Sequence, residues 1–282
     1  MQFMLPAATA IIQQVAAALA EDMGAGDLTA HLIAADKLAT AQVVCRESAV
    51  LCGSAWFEAC FHHLHKDIVI RWLAHDGDLI TANQKICEIH GNARALLSGE
   101  RCALNFLQLL SATATLTRRY VEAISGTKAV VMDTRKTIPG LRLAQKYAVI
   151  VGGGANQRIG LFDGILIKEN HIASAGGITQ ALAEARKYEA PVQIEVESLE
   201  QLQTALRSGA KLILLDNFDL AGLRDAVALA GDLADDQVQL EASGGITLAN
   251  VRAVAETGVQ RISVGSLTKD VHAVDFSMRI VV

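Results

Sequence analysis

From residue 129 onward, short runs of β-branched and apolar residues alternate with stretches of helical spacing, and a polar residue interrupts or follows the apolar part of each run. The runs are Ala129 to Arg135, Gly164 to Asn170, Val192 to Val196, Lys211 to Asn217, Val238 to Gly244 and Arg261 to Ser266. Helical spacing occupies Ile178 to Tyr188, Leu199 to Arg207, Leu220 to Leu229 and Leu248 to Glu256. Ser198 and Thr247 stand where N-caps belong, and Gly209 and Gly258 where helices end. Strand, helix, strand at this pitch predicts parallel βα units. The polar residues closing the runs are Arg135, Lys168, Glu195, Asp216, Ser243 and Ser263 or Gly265; from Lys168 the steps are 27, 21, 27 and 22 residues, one βα unit each. In a (β/α) barrel the C-terminal strand ends converge on one mouth, so these distant residues are expected to share a site.

That site is expected to be basic. Between Thr134 and Lys168 stand Arg135, Lys136, Arg142, Lys146, Arg158 and Lys168 against one acid, Asp163, in a chain whose formal charge is -5. Cations crowded into an apolar stretch repel one another, and a multiply charged anion relieves the repulsion. The acidity of the rest of the chain argues against nucleic acid as a partner. With 282 residues, 51% of them hydrophobic, the chain can bury a large core, as one barrel or two modest domains. No Lys or Arg precedes Lys37 and no apolar run approaches spanning length, so neither a secretion signal nor a membrane helix is expected, and the cytoplasm is the default location. Cys45, Cys52, Cys60, Cys87 and Cys102 form no C-x-x-C pair and read as reduced core thiols.

The last two runs end in glycine: Ala242-Ser-Gly-Gly-Ile246 leads into a helix near Thr247, and Ser263-Val-Gly-Ser266 follows. Glycines admit backbone N–H groups close to a phosphate, and barrels commonly bind phosphate at these final loops. The triple Gly152-Gly153-Gly154 matches neither a dinucleotide fingerprint nor a P-loop. The first half differs, with an amphipathic helix over residues 7–21, strand-like runs Ala41 to Ser48, Ile68 to Trp72 and Lys85 to His90, and a helix from Ser54 to Leu64. These predict an α+β layer with an antiparallel sheet, joined to the second half by a long helix from Gly99 to Glu122. Asp76-Gly-Asp78 resembles the hammerhead turn of lipoyl-type domains but lacks their lysine, and is scaffold. His62, His63 and His65 read as a surface helix end rather than a metal site.

Gly99-Glu-Arg-Cys-Ala-Leu-Asn105, Asp133-Thr-Arg-Lys-Thr-Ile-Pro-Gly-Leu-Arg142, Lys146-Tyr-Ala-Val149, Gly152-Gly-Gly-Ala-Asn156, Leu166-Ile-Lys-Glu-Asn-His171, Leu215-Asp-Asn217 and Glu241-Ala-Ser-Gly-Gly245 resemble the quinolinate phosphoribosyltransferase family over essentially the whole chain. The resemblance implies an α/β protein: an incomplete TIM-like α/β barrel over residues 113–269, with an N-terminal α+β open sandwich over 1–112 completed by about 270–282. It implies phosphoribosyl transfer from phosphoribosyl pyrophosphate to quinolinate, with Mg²⁺, giving nicotinate mononucleotide, pyrophosphate and CO₂. It further implies a homodimer in which Arg101 crosses to the neighbouring barrel, and dimers able to assemble into a hexamer. Carried over by position, Thr134, Arg135, Lys136, Arg158 and Lys168 would hold quinolinate and the phosphates. Glu195 and Asp216 would face the ribose hydroxyls and Mg²⁺, while Ser243, Gly244, Gly245, Val264, Gly265 and Ser266 would cradle the 5-phosphate. Lys136, Lys168, Glu195 and Asp216 are the implied catalytic set.

Gln157, Ile138 and Ser266 vary from common family choices, and the first of them bears on the chemistry. Many relatives have His before the pocket arginine, whereas here the run is Asn156-Gln157-Arg158. Glutamine donates a hydrogen bond but carries no charge. Three other readings stay open at this point. One is a paralogue of the same fold associated with molybdenum transport. Another is an aldolase forming a Schiff base through Lys168, and the last is a phosphate-binding protein without turnover.

Overall fold

The computed structural model describes residues 3–233 and 237–281, and the chain forms two units. The first comprises Met1–Arg118, Thr137–Gly153 and Asp270–Val282; the second comprises Arg119–Lys136 and Gly154–Lys269.

In the first unit an antiparallel sheet runs in the order Phe276–Val281, Leu38–Cys45, Lys85–Asn92, Val69–Trp72. The period-2 alternation of Leu38–Cys45 puts Ala41, Val43 and Cys45 inside. There they share a core with Trp56, Phe57 and Phe61 of the helix Ser54–Leu64 and with Ile11, Val15 and Leu19 of the helix Ala8–Met23. Asp76 is scaffold: its carboxylate accepts the N–H groups of Gly53 and Ser54 at 3.1 and 3.2 Å, and the Tyr147 hydroxyl at 2.8 Å. All five cysteines are buried and free.

Two boundaries differ from the sequence expectation. The long helix runs Ala93–Ala123, starting six residues before Gly99. The Asn92 side chain accepts the Ala95 N–H at 3.1 Å and starts it there. Gly99 is an interior position where a Cβ would stand 3.0 Å from Phe61 and 3.1 Å from Leu64, so glycine marks a close approach and not an end. The other difference is Thr137–Gly153, expected within the barrel. Its helix Arg142–Val151 buries Ala144, Tyr147, Ala148 and Val151 in the first unit's core, with Tyr147 against Trp56 at 5.5 Å between ring centroids, and the segment belongs to that unit.

The second unit is an incomplete TIM-like barrel. Its six parallel strands follow one another in the order Val130–Met132, Arg261–Ser263, Gln239–Ser243, Leu212–Asp216, Val192–Val196, Ile165–Ile167. The two edge strands are not hydrogen-bonded to each other. On the other side of Val130–Met132 from Arg261–Ser263 lies an isolated parallel bridge from Met132 to Ala155, where Ala155 N–H donates to Val131 O at 2.9 Å. Ser198 caps Leu199–Arg207 by accepting the Gln201 N–H at 3.3 Å. Thr247 does not cap the next helix but one: Asn250 precedes Val251–Ala255, and its side chain accepts the Thr247 N–H at 2.8 Å. Among the described residues no helix is long and apolar enough to cross a membrane.

Candidate active site

Side chains two apart on a strand share a face, which sorts the barrel interior into layers. Glu195, Asp216 and Ser243 stand at the C-terminal ends of their strands, and Ser243 and Asp216 are cross-strand partners. Gln193 and Glu241 lie one pleat beneath Glu195 and Ser243, and Arg261 one pleat beneath Ser263.

The cations occupy the edge strands and the Ala155 segment. Arg158 Nη1 donates to Gly164 O at 3.0 Å. Burial lowers the basicity of Arg158 from the ordinary arginine value; the neighbouring Arg135 guanidinium lowers it further, and Asp163 opposes both. Two guanidinium groups this close favour an anion between them. Asp163 tightens the following loop by accepting the N–H groups of Ile159 and Gly160, each at 2.8 Å. Lys136 is exposed and lies along Gly265, where a Cβ would come 3.3 Å from its Cδ. Thr134 Oγ1 accepts the Lys136 N–H at 3.0 Å and the Thr268 hydroxyl donates to Lys136 O at 2.8 Å, so the backbone carrying both lysine and arginine is fixed. Lys168 Nζ pairs with Glu195 at 2.8 Å, with the lysine half exposed.

The expected cluster of six cations is therefore four in this unit. Arg142 and Lys146 travel with the helix Arg142–Val151 into the first unit, where Arg142 donates to Thr137 Oγ1 at 3.1 Å and Lys146 is buried. Arg101 also lies in the first unit, exposed on the long helix.

Next around the rim come the acids. Carboxylate oxygens of Glu195, Glu197 and Asp216 all lie within 4.8 Å of one another. Glu197 was not singled out from the sequence, although it follows Glu195 at the same-face spacing of two. Three carboxylates this close repel unless a cation intervenes, and Lys168 supplies one positive charge. Hard oxygen donors of this kind suit Mg²⁺.

The glycine loops complete the rim. Asn217, at φ 57°, donates its N–H to Ser243 O and its amide to Asp216 Oδ2, both at 2.9 Å. Gly244 has φ +100°, and a Cβ there would overlap the Asn217 side-chain oxygen and come within 3.0 Å of its backbone nitrogen. Gly244→Ala is expected to destabilise the protein by about 1–3 kcal/mol and, by pushing the loop off Asn217 and Asp216, to raise the KM for a phosphate ligand at least about tenfold, one decade being about 1.4 kcal/mol. Denaturant titration and steady-state kinetics check the two halves. Gly265 and Ser266 lie at the next strand end, with Ser266 Oγ 3.4 Å from the Tyr120 hydroxyl. Val264 has its side chain buried, and its N–H already donates to Met132 O at 2.9 Å, so it supports the loop.

Models of the two domains of quinolinate phosphoribosyl transferase match this chain, the C-terminal domain over residues 113–279 and the N-terminal domain over residues 27–111. The chain belongs to the quinolinate phosphoribosyltransferase family. It is 41% identical to the probable nicotinate-nucleotide pyrophosphorylase [carboxylating] of Bacillus subtilis, over 92% of this chain and 89% of that one. The chloroplastic nicotinate-nucleotide pyrophosphorylase [carboxylating] of Arabidopsis thaliana is 38% identical over 93% of this chain and 80% of its own length. The solved structure of the nicotinate-nucleotide pyrophosphorylase from Francisella tularensis superposes with a TM-score of 0.93 at 45% identity, covering 98% of each chain. In this quinolinate phosphoribosyltransferase chain the Gln157 departure acquires a partner. Its amide donates to the buried carboxylate of Glu241, a residue present in the Glu-Ala-Ser-Gly-Gly motif but given no role from sequence.

Proposed function

We propose that the chain transfers the phosphoribosyl group of phosphoribosyl pyrophosphate to quinolinate with decarboxylation, giving nicotinate mononucleotide, pyrophosphate and CO₂ in NAD biosynthesis. The observation that carries this reading is the order of chemistry around the barrel rim. From the edge strand come Arg135 and Lys136, then Arg158 and Lys168, then Glu195 and Asp216, and last the glycine loops at Ser243–Gly245 and Val264–Ser266. Cations gather on one side and acids on the next, and the two meet in the Lys168–Glu195 ion pair. A dicarboxylate matches the first half and a ribose phosphate the second.

Arg135 and Arg158 take the two ring carboxylates, and Lys136 and Lys168 neutralise the phosphates. Held this way, the pyridine nitrogen attacks the anomeric carbon as its bond to the pyrophosphate oxygen breaks. Glu195 and Asp216 stabilise the positive charge that develops on the sugar. The pyridine becomes a cationic ring; the bond to the adjacent carboxylate then breaks, its electron pair staying on the ring carbon beside the positive nitrogen, and a proton adds to that carbon as CO₂ departs. No strong base is required, and the side chains act by position and charge. Glu195 and Asp216, with Glu197 alongside, would hold Mg²⁺; the ion supplies charge screening for the leaving pyrophosphate.

In this reading the active unit is a homodimer, with dimers able to build a hexamer, and Arg101 of one subunit adds a cation to the neighbour's barrel. The assembly works in the cytoplasm. Arg101→Ala and Lys168→Ala are each expected to be inactive alone. Equilibrated together in equal amounts they are expected to regain about a quarter of wild-type activity, since half of random dimers are mixed and each carries one intact site. Activity that stays at background on mixing removes the shared site. A Schiff-base aldolase is disfavoured because Lys168 is half exposed and paired with a carboxylate, not sunk in an apolar pocket. Product analysis with quinolinate or nicotinate as acceptor tests the function itself: nicotinate mononucleotide from quinolinate alone is expected, and formation from nicotinate alone would overturn it.

A further inference from the structure

Beneath the rim the barrel interior is polar where a barrel layer is ordinarily branched aliphatic. Glu241 is fully buried at its centre. Its Oε1 accepts from the Gln157 amide and the Ser263 hydroxyl, its Oε2 accepts the Gln193 amide at 3.0 Å, and Arg261 Nε lies 3.0 Å from Oε2 as an ion pair. Gln157 also donates to Ser263 Oγ at 3.1 Å, and its backbone N–H donates at 2.9 Å to Oδ1 of the fully buried Asp133. Each end of this chain of contacts continues directly into the site. Asp133 precedes Thr134 and Arg135, and Gln157 precedes Arg158. Burial first and the neighbouring Arg135 charge second lower the basicity of Arg158, and the contacts through Asp133 and Gln157 tie the two arginine-bearing segments together. A buried carboxylate is costly unless its lone pairs are satisfied and its charge is opposed; three hydrogen-bond donors and the Arg261 charge converge here on one.

We propose that Glu241 is a positioning residue that, through Gln157, sets the separation of Arg135 and Arg158 and thereby the fit to a dicarboxylate. The inference rests on the proposed function and adds to it the part of the barrel that determines acceptor specificity. It gives the glutamine at 157 a physical role: an amide donor to Glu241 does what an imidazole N–H can also do, without charge. Below Gln157, a cavity of about 380 Å³ lined by Arg158, Gln193 and Arg261 and by Ile165, Pro191 and Leu212 at the strand starts leaves room for an imidazole ring at position 157.

The test compares wild type, Gln157→Leu, Gln157→His and Glu241→Gln, each checked for folding by thermal melting. Gln157→Leu removes the donor at similar volume and is expected to raise the KM for quinolinate about tenfold while moving the KM for phosphoribosyl pyrophosphate less than twofold. Gln157→His, which keeps an N–H donor, is expected to restore quinolinate KM to within about threefold of wild type. Glu241→Gln is expected to show the same split as Gln157→Leu. Should Glu241→Gln not fold, the two Gln157 variants decide alone. Equal changes in both KM values, no change in either, or no recovery in Gln157→His would overturn the proposal. A crystal structure of Gln157→Leu reads the same claim without activity: a displaced Arg158 guanidinium is expected, and an undisplaced one refutes it. A wild-type protein that turns over nicotinate but not quinolinate would remove the proposed function, while the displacement of Arg158 would still decide the positioning role.

Discussion

Replacing Arg158 by alanine is expected to lower kcat/KM for quinolinate about 100-fold, with the KM for phosphoribosyl pyrophosphate changed by less than about threefold. A bidentate guanidinium–carboxylate contact is worth about 1.5–3 kcal/mol, and truncation also leaves one substrate carboxylate without its partner; at about 1.4 kcal/mol per decade this spans roughly 10- to 150-fold. The fold should tolerate the change. Among the described residues the Arg158 side chain donates to Gly164 O, in a loop already held by Asp163, and its charge stands beside that of Arg135. Steady-state kinetics beside a denaturation curve separates the two effects. Loss of stability without the selective loss toward quinolinate would show that Arg158 serves the fold rather than the acceptor. Arg158→Lys is expected to recover little, because an ammonium cannot form the planar fork.

The larger effect is expected at the acids. Asp216→Ala should reduce kcat by about 10³-fold or more, since charge developing at the sugar in the transition state would lose the carboxylate aimed at it, an interaction of the kind worth several kcal/mol in a preorganised site. The same variant should weaken the dependence of rate on Mg²⁺, because two carboxylates would remain where three now lie within 4.8 Å. Stability should fall little: Asp216 is at a strand end, and its described side-chain contact is the Asn217 amide at 2.9 Å. A Mg²⁺ titration of initial rates is the measurement. An unchanged metal dependence with unchanged kcat would remove both Asp216 and the metal site from the mechanism.

Much of this was legible in the chain because parallel βα units repeat. Lys168, Glu195, Asp216 and Ser243 fall one unit apart in sequence and at neighbouring strand ends in space, and the helix Ser54–Leu64 begins and ends where its apolar spacing says. Charge counting along a window read less well. Arg142 and Lys146 stand in line with the site cations, but the apolar face of their helix belongs to the first unit's core, and a one-dimensional window does not register which core claims a helix. Gly99 misled for a related reason: glycine signals either an end or a close approach, and only the packing against Phe61 distinguishes them. Thr247 carries cap chemistry, yet the helix begins after Asn250, whose side chain accepts the Thr247 N–H and no N–H of the helix. Glu241 was the least legible, because a charged residue between Leu240 and Ala242 reads as an interruption until Arg261, Gln193 and Gln157 are seen to converge on it.

Arginines and lysines that hold a doubly acidic pyridine against an activated sugar phosphate at one barrel rim would make ring alkylation precede loss of CO₂. Labelled CO₂ released from quinolinate, counted against pyrophosphate in the same reaction, tests it most directly. One CO₂ per pyrophosphate is expected, with none when phosphoribosyl pyrophosphate is omitted; CO₂ released without the sugar phosphate, or pyrophosphate formed without CO₂, would contradict it.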